Sequence, residues 1–162
     1  MKPIEGMILI DDSASMRPTR NNGVLDFMMK KLAPLMMSVT DDFGELSVPS
    51  TLEALEQANR VTPGATLTNC PKIIVCVTNG NCEDGMSRQL IEHTLTELPA
   101  HIFFVFQTVG IIDDPAHAWF ESLAKREDHG KKFAVVRHYR EESADALFRE
   151  YVWPFMQRTT GR

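Results

Sequence analysis

Three stretches of this chain are apolar almost without interruption: KIIVCVT (72–78), HIFFVFQTVGI (101–111) and KFAVV (132–136). A strand with one wet face alternates apolar and polar residues. Continuous runs rich in Val, Ile and Phe belong to strands buried on both faces. Around them the pattern changes to a helical period. GVLDFMMKKLAPLMM sets Leu25, Met28, Met29, Leu32, Leu35 and Met36 on one helical face, with Pro34 placed to kink the last turn or stop it early. Ser50 and Glu53 form an S-x-x-E capping box that starts a helix in STLEALEQANRV, carrying Leu52, Leu55 and Ala58. SRQLIEHTLTEL repeats apolar residues at Leu90, Ile91, Leu95 and Leu98, with Thr94 on the same face. Asp114 and Pro115 begin a helix that buries Trp119, Phe120, Leu123 and Ala124. A last helix from Ser143 turns Leu147, Phe148, Tyr151, Val152 and Phe155 inward, with Pro154 and TTGR closing it.

Strand then helix, repeated, with strands apolar throughout, specifies an α/β fold: a doubly wound, mostly parallel sheet with helices on both faces. A length of 162 residues fits one domain spanning 1–162. MILI (7–10) is a shorter run that stops at Asp11 and Asp12, and VTDDFGELSVPS has room for one brief strand, Glu45 to Val48. In open parallel sheets, ligands bind beyond the carboxyl ends of the strands. Asp11 to Ser15 follow one strand and NGNCEDG follows another, so the two polar loops share one edge.

Composition narrows the function classes. The chain is 43% hydrophobic and 24% charged, as folded globular chains are, and its net charge is -5. It has no basic block to neutralise phosphates, which argues against nucleic acid as the main partner. The apolar run in MKPIEGMILIDD is too short for a signal peptide, and no segment approaches the roughly 20 apolar residues of a membrane span. Cys70, Cys76 and Cys82 are odd in number, with Cys76 inside a buried run, which fits reduced thiols and a cytoplasmic location. No histidine lies beside them to complete a zinc site, and His93, His101, His117, His129 and His138 are scattered. Asp113 and Asp114 read as helix capping ahead of Pro115.

The segment with chemistry is D-x-S-x-S at Asp11, Ser13 and Ser15. In an extended loop alternate side chains point the same way, so the three oxygens converge. A carboxylate with hydroxyls is a hard oxygen set suited to Mg2+, Mn2+ or Ca2+. The plainer reading is a strand-to-helix loop in which Asp or Ser caps the first helix.

This stretch, followed by Met16, resembles the first motif of von Willebrand factor type A domains, where the loop is part of a metal-ion-dependent adhesion site. STLEALEQANRV is similar to the family's threonine loop and following helix, KIIVCVTNG to its strand ending in T-D-G, and FVFQTVGIIDDPAHAWFESLAKRED to a later strand, V-G turn and helix. The resemblance runs from Met7 to about Phe155. It implies a divalent cation, Mg2+ or else Mn2+ or Ca2+, held by Asp11, Ser13, Ser15 and Thr51, with Asn79 acting through water. Two departures stand out. Asn79 occupies the place of the T-D-G aspartate and brings no charge; Asp12, Glu83 or Asp84 are the candidates to compensate. Only about a dozen residues separate the first helix from Thr51, so one sheet edge is trimmed, with one or both strands of the usual pair lost. Thr66, in PGAT, competes with Thr51 as the threonine ligand. Thr51 is favoured because a helical pattern follows it.

The implied function is that of a non-enzymatic module whose bound cation is completed by a carboxylate from another protein. The alternatives are a scaffold of the same fold with a degenerate metal site, and a Mg2+-dependent phosphatase of the haloacid dehalogenase type. That class carries a second acid two residues after its nucleophile, where this chain has Ser13. The trimmed edge also offers Glu45 to Val48 for self-association.

Overall fold

The computed structural model describes residues 4–60, 70–79, 85–109, 122–123, 125, 132–136 and 141–160. It contains a five-stranded, all-parallel sheet in the order β2-β1-β3-β4-β5. The strands are β1 (Glu5–Asp11), β2 (Asp42–Val48), β3 (Lys72–Thr78), β4 (Ile102–Thr108) and β5 (Phe133–Val136). Every residue of β3 and β4 is buried, as their unbroken apolar runs require.

The helices divide between the two faces. α2 (Val24–Val39) and the C-terminal segment pack on one face, where Met28, Leu32 and Met36 meet Ile8, Val75, Val105 and Phe155. α3 (Thr51–Arg60) and α4 (Gly85–Thr96) cover the other, where Leu55, Ile91 and Leu95 meet Leu9, Cys76, Phe104 and Phe106. Leu123 joins this second core. Trp119, Phe120 and Ala124 lie outside the described residues. Leu90 is exposed, because it stands one position off the buried Ile91–Leu95 line of α4.

Three elements differ from the sequence expectation. β2 has seven residues where a four-residue strand is expected, because its backbone pairs with β1 from Glu5↔Asp42 to Asp11↔Val48 although most of its side chains face solvent. One strand of the trimmed edge is therefore present, and among the described residues it is the outermost on that side. Pro34 does not stop α2. It lies on the exposed side, where local adjustment meets little packing, and the helix continues to Val39. Pro154 does not end the final helix either. α5 (Glu141–Leu147) passes into a π-helical turn, Phe148–Val152, and then into α6 (Trp153–Thr160), which places Pro154 in a first turn, where its missing N–H is tolerated.

A short helix, α1 (Arg17–Asn21), precedes α2 and has no apolar period to announce it; only Thr19 is buried. The two helices meet at Gly23, whose φ of 81° lies in the left-handed region open to glycine. Gly6 has a different constraint. A Cβ there would stand 2.5 Å from Thr40 Cγ2, so the end of α2 packs directly on the β1 backbone.

Candidate functional site

The strand order creates the crevice. From β1 the chain passes through α2 to β2 on one side, then returns through α3 to β3 on the other side of β1. The connections leave the carboxyl ends of β1 and β3 in opposite directions. This is the topological switch point of an open α/β sheet.

Asp11 is the last residue of β1 and only 2% exposed. Its Oδ1 accepts the Ser13 N–H at 2.9 Å, and its Oδ2 accepts the Thr78 hydroxyl at 2.9 Å from the end of β3. The carboxylate is thus oriented from its own loop and from the neighbouring strand. The Asp12 N–H donates to the Val48 carbonyl at 2.7 Å, which carries the β1–β2 ladder one residue further. Asp12 itself is exposed, with Oδ1 3.0 Å from Arg20 Nη2 in an ion pair rather than an aligned hydrogen bond. Its charge is engaged with that guanidinium.

Ser13 is extended, at φ -65° and ψ 160°, and leads into a single 3-10 turn, Ala14–Met16. Met16 is buried in the α2-side core and anchors the turn. Neither that turn nor α1 receives a side-chain cap. The Ser13 and Ser15 hydroxyls instead face each other, Oγ to Oγ, at 3.0 Å. The capping interpretation of the motif therefore leaves these hydroxyls unexplained.

Asn79 directly follows β3 and is 6% exposed. Its Nδ2 donates to the Ser15 carbonyl at 3.1 Å, which joins the end of β3 to the hydroxyl loop. Thr51 is buried in the first turn of α3, three residues after Val48, the strand-mate of Asp11. The Ser50 hydroxyl accepts the Glu53 N–H at 3.2 Å and caps that helix, as the S-x-x-E spacing predicts. Asp11, Ser13, Ser15 and Asn79 are thus linked by hydrogen bonds, and Thr51 follows the strand beside them. Thr66, Glu83, Asp84, Asp113 and Asp114 lie outside the described residues.

Thr78 is the participant that sequence reasoning passed over. The signal was its place in VTNG, where strand alternation turns it to the same face as Cys76, the face that Asp11 and Leu9 share.

The oxygen set fits a hard cation. Neighbouring ligands of an octahedral Mg2+ at about 2.1 Å lie about 3.0 Å apart, and the two hydroxyls already stand 3.0 Å apart. A carboxylate has about four acceptor positions, so Asp11 retains capacity beyond its two hydrogen bonds. Among the described residues no group of three or more His, Cys, Asp or Glu side chains could hold a metal. Cys70 and Cys76 are buried. Among the described residues no helix is long and apolar enough to cross a membrane.

No protein-family model matches the chain, and no curated protein matches it.

Proposed function

We propose that this protein is a non-enzymatic recognition module of the von Willebrand factor type A kind, in which a divalent cation, Mg2+ or else Mn2+ or Ca2+, is completed by a carboxylate from a partner protein. The observation that carries the reading is the pair of Ser13 and Ser15 hydroxyls at 3.0 Å, uncommitted to helix capping, beside a buried Asp11 carboxylate held from its own loop and from β3. Asp11, Ser13, Ser15 and Thr51 would hold the ion, and the Asn79 carbonyl would accept from a water on it. When bound, the ion supplies positive charge and a position open to an acidic side chain. The hydrogen bonds to Asp11 keep its oxygens oriented, as the outer partners of metal-ligating carboxylates do.

One carboxylate contributes one negative charge to the site. The ion's charge is therefore less neutralised than with two, which favours a partner carboxylate at the open position and weakens the affinity for the ion alone. The odd number of cysteines, with Cys76 buried inside β3, supports a cytoplasmic setting. Pairing of two copies through β2 is a lesser route, since Asp42 and Glu45 would bring like charges together there.

The test is calorimetric titration with Mn2+ and Mg2+, joined to partner capture on immobilised protein with and without chelator. Metal binding and capture should both be lost in Asp11→Ala. Capture that survives chelator and Asp11→Ala alike would replace this function with that of a scaffold.

A further inference from the structure

Asn79 does something at its position that a carboxylate cannot. Its Nδ2 donates to the Ser15 carbonyl at 3.1 Å. A carbonyl oxygen only accepts, so the amide nitrogen is the atom that faces it. Asp11 and Asn79 are 2% and 6% exposed. Two carboxylates at these positions would bury two negative charges at the ends of neighbouring strands, one of them directed at a carbonyl oxygen. The amide removes the second charge and supplies the missing donor. Thr78 bonds Asp11 at the end of β1, the Asp12 N–H bonds Val48, and the Asn79 bond ties the hydroxyl loop itself to the end of β3. None of the three requires an ion.

We infer that Asn79 is a positioning residue that assembles the oxygen site before any cation arrives, so that the shape of the Ser13–Met16 loop is constitutive and the ion adds charge without building the loop. The assignment of the site to metal and partner rests on the function proposed above, whereas the Asn79–Ser15 tie can be measured without metal. The loop is thereby a preformed platform.

The experiment compares wild type, Asn79→Asp and Asn79→Ala by thermal melting in chelator and in excess Mg2+, with hydrogen exchange of the loop amides followed by mass spectrometry. In chelator at neutral pH, Asn79→Asp should melt roughly 4–10 °C below wild type, the loss of a buried hydrogen bond together with like-charge repulsion. Mg2+ should recover most of that gap. Asn79→Ala adds no charge and keeps the fold accessible if the aspartate variant fails to accumulate. Its residues 13–16 should exchange about tenfold faster in chelator, with β3 and β4 unchanged. Wild type should show the same loop exchange with and without Mg2+. Melting of Asn79→Asp at the wild-type temperature in chelator would overturn the inference, as would unaltered loop exchange in Asn79→Ala. A destabilised Asn79→Asp that Mg2+ does not recover would instead remove the metal function and leave the tie standing.

Discussion

Replacing Thr78 by valine probes the site through a residue that would not itself touch the ion. The two side chains have nearly the same shape, so the fully buried position stays filled and the change is the loss of the hydroxyl. That hydroxyl donates to Asp11 Oδ2 at 2.9 Å. A hydrogen bond to a charged group contributes about 1.5–3 kcal/mol, and a buried acceptor that loses it finds little water in exchange. Asp11 keeps the Ser13 N–H on its other oxygen, which places the expected loss near the middle of that range, about 2 kcal/mol. For a domain of this size that is a fall of roughly 4–8 °C in melting temperature, read in chelator so that no ion contributes. In the metal titration, loosening the carboxylate should weaken Mn2+ binding roughly 10- to 100-fold. Thr108→Val is the matched control. Thr108 is the strand-mate of Thr78, equally buried, and its hydroxyl donates to the Val136 carbonyl at 2.8 Å. It should lose about 1 kcal/mol and leave metal affinity unchanged. The reasoning fails if Thr78→Val melts with wild type in chelator, or if the two valine variants bind Mn2+ equally well.

At the opposite, amino end of the sheet, Lys72 is 2% exposed and its Nζ lies 3.1 Å from Glu5 Oε2, whereas the Glu5 side chain is 29% exposed. Chemical denaturation should therefore be asymmetric. Glu5→Gln strands a buried ammonium and should cost about 3 kcal/mol, while Lys72→Met leaves a carboxylate that water can reach and should stay within about 1 kcal/mol of wild type. Equal losses would refute the asymmetry. Gly6→Ala forces its new methyl onto Thr40 Cγ2 and should cost about 1–3 kcal/mol by the same measurement, with Gly44→Ala, which meets nothing within 4 Å, as the tolerated comparison. Burial, helped by the charge of Lys72, holds the His101 imidazole below its ordinary pKa. Below about pH 6.5 the unfolded chain takes up a proton that the folded chain resists, so this contribution to stability is present above that pH and is lost as the pH falls. Urea midpoints measured from about pH 7.5 down to pH 5.5 should decline less steeply in His101→Gln than in wild type.

Much of the architecture is legible one residue at a time. KIIVCVT and the core of HIFFVFQTVGI have no polar alternation, and a strand without a wet side needs helices on both of its faces. Ser50 and Glu53 mark the start of α3 because an N-cap bond is made over three residues. The two prolines are not legible in this way. The effect of Pro34 depends on which side of α2 meets solvent, and that of Pro154 on a π-helical turn forming ahead of it. The full length of β2 is not legible in the sequence, because an edge strand is held by backbone pairing to β1, which writes little into side-chain pattern.

The sequence by itself determined the class of fold and the chemical type of the site, since burial periodicity and the ligand character of Asp, Ser and Thr oxygens are local properties. Only the tertiary structure decided what those oxygens do. Thr78 reaches Asp11 across 67 positions and Asn79 reaches Ser15 across 64, because parallel pairing of β1 with β3 brings two carboxyl ends together. No local spacing encodes that meeting. It follows from strand order, which the collective burial of both sheet faces selects.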